Sequence, residues 1–283
     1  MFSLKLENEN KNIININDEV NYVILSVSGL NPPSGSIFTS KSPTRKGVKY
    51  NGSTLNERNI MLKIKILGDI ENNRNALYDW VDSENYIKVY YQNGLKNVYC
   101  EGHVEDCDID FFTDNETVNL AIICENPYWK DLNEISKEIS TILSQFTFSF
   151  AIDENGIPFS TSTNNNTTNI FNGGNEVGIK MFIKFKGVVS NISIYDANNT
   201  NRRFKILKTF YENEIVEINT ETNPKTCKLY KPNGTVENIL KYVEANPTWF
   251  NLKRGNNLFS YTAEVGGENV VISINFTNQY LGV

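Results

Sequence analysis

The run NIMLKIKILG, residues 59–68, decides the fold class of this chain. Ile60, Leu62, Ile64 and Ile66 occupy alternate positions, and Lys63 and Lys65 lie between them. Successive side chains of a strand point to opposite faces, so the pattern predicts a β-strand with one buried and one wet side. The same period extends outward in both directions. Upstream, NYVILSVSG puts Val23, Leu25 and Val27 on one predicted face. Downstream come YIKVYY, NVYCEGHVEDCDI and TVNLAIIC, the last with Val118, Leu120, Ile122 and Cys124 in register. In between, ENNRNALYDWVDSEN spaces Ala76, Leu77, Trp80 and Val81 as a helix would, predicting one short amphipathic helix over 71–84.

Before the deciding strand lies GLNPPSGSIFTSKSPTRKGVKYNGSTLNERN, residues 29–59, which reads as one long polar connection. Connections in compact domains are short, and one of this length is functional or disordered. We read residues 31–59 as an arm that orders on a neighbouring subunit. Lys41, Arg45, Lys46, Lys49 and Arg58 stand in it against Glu57. The opposite bias follows at Glu101, Glu105, Asp106, Asp108, Asp110, Asp114, Glu116 and Glu125, with no lysine or arginine among them. One reading is a solvated face plus a solvated loop. A second pairs the basic arm of one copy with the acidic strand edge of the next. A third lines a lumen with Glu105, Asp106, Asp108 and Asp110, so that DNA slides past without sticking.

Asn126-Pro-Tyr-Trp129 ends the first group of strands, because proline excludes helical geometry from the residue before it. The pattern predicts a first domain over 1–130, a polar linker with helical potential over 131–145, and a second domain over 146–283. The second domain opens on FTFSFAI, crosses an Asn/Thr/Gly-rich loop at 160–175, and continues through VGIKMFIKF, NISIYD, FKIL, EIVEIN and CKLY. It ends on LFSYTAEV and NVVISINF, joined at Gly266-Gly267. Short strands at such regular intervals predict a β-sandwich, with 236–244 as a further candidate helix.

The composition limits the function. The 283 residues carry 33 acidic and 27 basic side chains, a net charge of −6, which argues against a general nucleic-acid binder. No run of ~18 apolar residues marks a membrane span. MFSLKLENENKN lacks the apolar core of a secretory signal, so its Asn-x-Ser/Thr triplets are expected to stay unglycosylated. Cys100, Cys107, Cys124 and Cys227 lack CxxC spacing and are expected as reduced thiols, a Cys100–Cys107 pair being the alternative. The single histidine, His103, is too little imidazole for a triad or a zinc site, and no nucleotide-binding or nucleophile motif is present. Neither catalytic residues nor a cofactor or metal are expected. Trp249, Tyr261 and Tyr280, near the end of the sequence, form either core or a sugar platform.

Two separated blocks resemble the distal tail proteins of long-tailed bacteriophages, the siphovirus-type tail component family. The first is GLNPP, the arm and NERNI with the strand and helix beyond, closing on CENPYWKDL. The second is NPTWFNLKRGNNLFSYTAE with the later YLGV; VGIKMFIKFKGVVSNISIYDANNT between them also fits, although FNGGNE replaces the usual Pro-rich lead-in. The resemblance implies a mainly β protein with a tail-tube-like split β-barrel or sandwich first and a galectin-like β-sandwich second. It implies six copies in a ring at the virion tail tip, assembled in the host bacterial cytoplasm and joining the tail tube protein to the baseplate hub. DNA would pass through the lumen without specific binding. The alternative is a galectin-like module that recognises host wall sugar.

Overall fold

The computed structural model describes residues 2–43, 46–81, 84, 86–111, 116–140, 142–144, 160–162, 167–221 and 223–283. The chain forms two compact units, 1–132 with 279–283, and 133–278.

The first unit contains β1 (Ser3–Glu7), β2 (Ile13–Asn15), β3 (Tyr22–Ser28), β4 (Gly35–Ser40), β5 (Lys49–Leu55) and β6 (Arg58–Ile66). Helix α1 (Ile70–Tyr78), β7 (Tyr86–Gln92), β8 (Asn97–Ile109), β9 (Thr117–Cys124) and β10 (Trp129–Asp131) follow. Its main sheet runs β2-β1-β7-β8-β9-β6-β3, antiparallel and open, with β2 and β3 at the two ends of the path rather than paired into a barrel. The strand quoted at the outset is β6, which alternates buried and exposed as its sequence does. Ile60, Leu62, Ile64 and Ile66 enter a core with Leu4, Val89, Leu120, Ile122 and Trp129.

Two bulges change which side chains face that core. In β3 the pairing with β6 shifts between Ile24 and Ser26. Val23, Leu25 and Val27 therefore do not share a face; Ile24 and Val27 pack on the core, and Leu25 is 51% exposed. In β8 the pairing with β9 shifts between Val104 and Asp106. Before the shift the even positions Val98, Cys100 and Val104 are buried; after it Cys107 and Ile109 touch the core. An extra residue re-aims everything beyond it, so Glu105, Asp106, Asp108 and Asp110 all come out exposed.

The second unit contains β11 (Ile135–Ser140), β12 (Ile142–Ser144), β13 (Ser160–Ser162), β14 (Thr167–Asn172), β15 (Val177–Gly178), β16 (Lys180–Phe185), β17 (Val189–Asp196) and β18 (Asn199–Phe210). It continues with β19 (Ile215–Asn219), β20 (Thr226–Tyr230), β21 (Val236–Asn238), β22 (Asn251–Leu252), β23 (Gly255–Thr262) and β24 (Val270–Phe276). A six-stranded sheet, β11-β24-β16-β19-β20-β21, and a four-stranded sheet, β14-β23-β17-β18, share one core. Ile183, Val216 and Ile272 enter it from the first sheet, Ile194, Phe204 and Tyr261 from the second. The last strand, β25 (Gln279–Tyr280), returns to the first unit and pairs with β10.

Several sequence expectations change. The helical linker over 131–145 contains β11 instead, paired along its whole length with β24. Its apolar Ile135 and Ile139 reach the second core, and that burial outweighs the weak helical pattern. The loop at 160–175 contains β13 and β14, and 236–244 holds β21 and one 3-10 turn. FTFSFAI and its Phe146, Phe148 and Phe150 lie outside the described residues.

Candidate functional site: the hairpin arm, its root and the wet sheet face

The arm is a β-hairpin. Strands β4 and β5 pair from Gly35↔Leu55 to Ser40↔Lys49 as a two-stranded sheet of their own, with one irregularity between Phe38 and Thr39. That register puts Ile37, Ser53 and Leu55 on one face, and the Tyr50 hydroxyl, hydrogen-bonded to Ser53 Oγ at 2.8 Å, lies there too. Ile37, Tyr50 and Leu55 are 67%, 61% and 41% exposed. Phe38 on the other face and Val48 near the tip are also exposed. The polar reading of this segment is therefore incomplete: the arm holds no acid from Ser34 to Asn56 and displays an apolar stripe. A lone two-stranded hairpin is marginal in water, and this one lacks a cover among the described residues.

At its root the chain is held tightly. Arg58, expected among the free arm cations, is 1% exposed and faces the core. Its Nε donates to the Pro127 carbonyl at 2.9 Å, and Nη2 to the same oxygen at 2.7 Å and to the Leu281 carbonyl at 2.6 Å. Nη1 donates to Asn31 O at 2.8 Å and to Gly29 O. All five N–H donors of the planar fork are used, on four backbone carbonyls, and none of the four acceptors is a carboxylate. The guanidinium lies 5.3 Å from the centre of the Trp129 ring. Burial lowers its pKa, and the adjacent Cys100 and Cys124 thiols act the other way. One side chain thus joins the arm root, the Pro127 turn and residue 281, while the Val283 N–H donates to Leu30 O at 3.2 Å. Gly29 adopts φ +84°, and a Cβ there would overlap the Asn59 carbonyl, so only glycine fits this entry to the arm.

The four cysteines are free. Cys100 and Cys124, not Cys100 and Cys107, are the two thiols that hydrogen-bond; that contact raises Cys124 and lowers Cys100. Burial pushes Cys227 up to about 12. His103 sits on β8 opposite Tyr86, the rings edge to face at 5.2 Å.

The wet face of the open sheet carries the acidic residues. Cross-strand pairing builds a row Ser28, Met61, Ala121, Asp106 over β3, β6, β9 and β8, and beside it a row Ser26, Lys63, Asn119, Asp108. Small Ala121 beside long Met61 leaves a hollow of about 260 Å³. Met61 is 56% exposed. Glu105 accepts a hydrogen bond from Asn59 Nδ2 at 3.3 Å and lines a groove of about 430 Å³ along the arm root. Other acids of the run are engaged locally: Glu101 with Lys130 at 3.0 Å and Lys88 at 3.7 Å, Glu116 with Arg74 at 2.9 Å, and Asp110 with the Thr117 hydroxyl at 2.8 Å. Arg45 and Asp114 lie outside the described residues. Lys41, Lys46 and Lys49 are exposed on the hairpin. Met61 carried a sequence signal: it is the one apolar side chain at the outward positions of β6.

The aromatic set does not gather into a platform. Tyr261 is fully buried, its hydroxyl 3.3 Å from the Gly267 and Val270 carbonyls. Trp249 packs edge to face on Phe204 at 5.0 Å. Tyr280 belongs to the first unit, donates to Asp131 at 3.0 Å and lies under the Lys96 amine. The turn at Gly255-Asn-Asn257, within the block NPTWFNLKRGNNLFSYTAE, has a physical basis. Asn257 accepts the Lys253 N–H and donates to the Lys253, Gly255 and Ile170 carbonyls, fixing the loop before β23.

Residues 172–280 match the family described as Siphovirus-type tail component, C-terminal domain. The whole chain shares its fold with the SPP1 Dit protein, whose crystal structure is described as a paradigm of the hub adsorption apparatus in phages that infect Gram-positive bacteria. The TM-score is 0.68 at 11% identity, over 98% of each chain. It is also similar to chains of the phage P2 baseplate in its activated conformation with Ca, at TM-score 0.51, and with Sr, at 0.52. Each is 12% identical over the full length of both chains. No curated protein matches the chain by sequence.

Proposed function

We propose that this protein is a structural, non-catalytic component of a phage tail tip, in which six copies close into a ring between the tail tube protein and the baseplate hub. It assembles in the host cytoplasm and stays in the virion at the tail tip, and DNA passes through the ring without specific binding. The observation that carries the reading is the hairpin of 35–55, whose apolar face is exposed on a rigidly anchored root. A head-to-tail contact between identical copies covers such a face and closes when the rotation completes a ring. The likeness to tail-component and baseplate chains supports the same reading. The second unit, with Trp249 and Tyr261 packed inward, is proposed as a galectin-like scaffold rather than a sugar reader.

Sedimentation velocity over a wide concentration range tests the proposal. The expected result is a discrete multi-copy species, six copies by mass, and ring-shaped particles in negative-stain images. A protein that stays monomeric at every concentration, alone and mixed with tail tube and hub proteins, would contradict it.

A further inference from the structure

We infer that a basic hollow on the second unit, walled by the turn after β17 and the loop that leads into β23, binds a phosphate ester that carries a free hydroxyl. All of its residues belong to the second unit, so the inference goes beyond the ring reading and does not depend on it. The hollow measures about 250 Å³. Drug-sized pockets begin at roughly 300 Å³, so it has room for a small ester and not for an oligosaccharide. Three parts of such a ligand find a counterpart there.

The phosphate meets the charge. Arg202, Lys253 and Arg254 line the hollow, against one acid among its described lining residues, Asp196. Both oxygens of Asp196 are engaged: Oδ1 accepts the Asn198 N–H and Oδ2 accepts Arg202 Nη1, each at 3.0 Å. Lys253 and Arg254 are exposed and form no ion pair among the described residues of the second unit. The loop that carries them is fixed in advance. The Asn257 side chain accepts the Lys253 N–H at 2.9 Å and donates to the Lys253 and Gly255 carbonyls at 2.8 and 3.0 Å. The Ala197 N–H donates to the Leu258 carbonyl at 2.9 Å and ties the two walls together. Cations held on such a frame bind an oxyanion with little ordering cost, through charge-assisted hydrogen bonds.

The hydroxyl meets Asn251, which also lines the hollow. Its Nδ2 donates to Glu176 at 3.1 Å, and its buried Oδ1 has no hydrogen-bond partner among the described residues. A buried acceptor without a donor is costly, and a ligand hydroxyl supplies the donor that a bare oxyanion lacks. The carbon chain meets Phe250 and Phe259, edge to face at 5.2 Å and both buried, which give the hollow an apolar floor. A neutral sugar leaves the two cations unpaired, and a phosphate without a hydroxyl leaves Asn251 unpaired. The ester serves both.

Calorimetric titration of the intact protein with glycerol 1-phosphate tests this. Saturable binding of one ester per chain is expected; no binding overturns the inference, whether or not the protein forms rings. Propyl phosphate, which keeps the carbon chain and lacks the hydroxyls, is expected to bind about fivefold more weakly or less. Equal binding of the two esters overturns the role given to Asn251. Lys253→Gln with Arg254→Gln is expected to weaken glycerol 1-phosphate about tenfold or more. Both side chains are exposed, and Lys253 bonds Asn257 only through its backbone, so this variant is expected to melt as the unsubstituted protein does. Lys184→Gln with Lys186→Gln removes the same charge elsewhere on the second unit and is expected to leave binding unchanged. An equal loss in both variants overturns the site in favour of a general attraction of anions. Competition with poly(glycerol phosphate) separates the sources: a polymer effective at lower phosphate concentration than the monomer supports a chain of such esters, and equal effectiveness supports a soluble one.

Discussion

The hairpin at 35–55 and its root at Arg58 are neighbours in sequence and opposites in chemistry. The root contains a charged side chain that sequence reasoning assigns to solvent, yet it is buried with every donor satisfied. The hairpin contains Ile37 and Tyr50, which composition assigns to a core, yet they stand in water. The contrast shows that burial here does not follow residue type. The root is complete within one chain, and the proposed ring would cover the hairpin.

The root should therefore fail first in stability. Arg58→Met removes the guanidinium donors from four backbone carbonyls at a buried position and is expected to cost about 3–5 kcal/mol in urea unfolding of the first unit. A change below about 1 kcal/mol would mean that water or a rearranged backbone replaces the fork. Arg58→Lys keeps the charge but has at most three donors and no planar fork, so about half of that loss is expected by the same measurement. Asp18 offers a smaller, pH-dependent test. Burial works against its ionisation, but the N–H groups of Tyr22, Asn21 and Val20 bond its carboxylate and hold its pKa below the ordinary value. A depressed carboxylate contributes stability above its unfolded pKa and loses it as pH falls through the folded one. Asp18→Asn should thus cost about 1 kcal/mol near neutral pH, and the difference should shrink as pH falls through the folded pKa, read by thermal melting across the acid range. Smallest of all, Ile37→Asp with Tyr50→Asp should move monomer stability by less than about 0.5 kcal/mol while abolishing assembly. A large loss of monomer stability would show that the hairpin packs on its own chain.

The mainly β fold was legible because Ile60, Leu62, Ile64 and Ile66 obey a period of two that local physics enforces. Two features broke the period without warning in the sequence. The bulges at Leu25 and Glu105 depend on pairing with a partner strand, β6 for the first and β9 for the second. The second is the reason that Asp106, Asp108 and Asp110 face outward. The helical reading of 135–140 failed similarly, since Ile135 and Ile139 satisfy a helix and a strand almost equally until β24 supplies the ladder. The segment that holds the hairpin stood out by its length, but its chemistry did not. Arg58 looked like one more arm cation, because its acceptors are backbone carbonyls as distant as residue 281 and no side-chain pattern announces them.

Hydrogen–deuterium exchange on the intact protein, at concentrations below and above assembly, compares the two regions directly. The account predicts slow exchange in residues 58–66 at both concentrations, with residues 35–55 exchanging fast when dilute and slowly when assembled. Hairpin amides whose exchange does not change on assembly would contradict it.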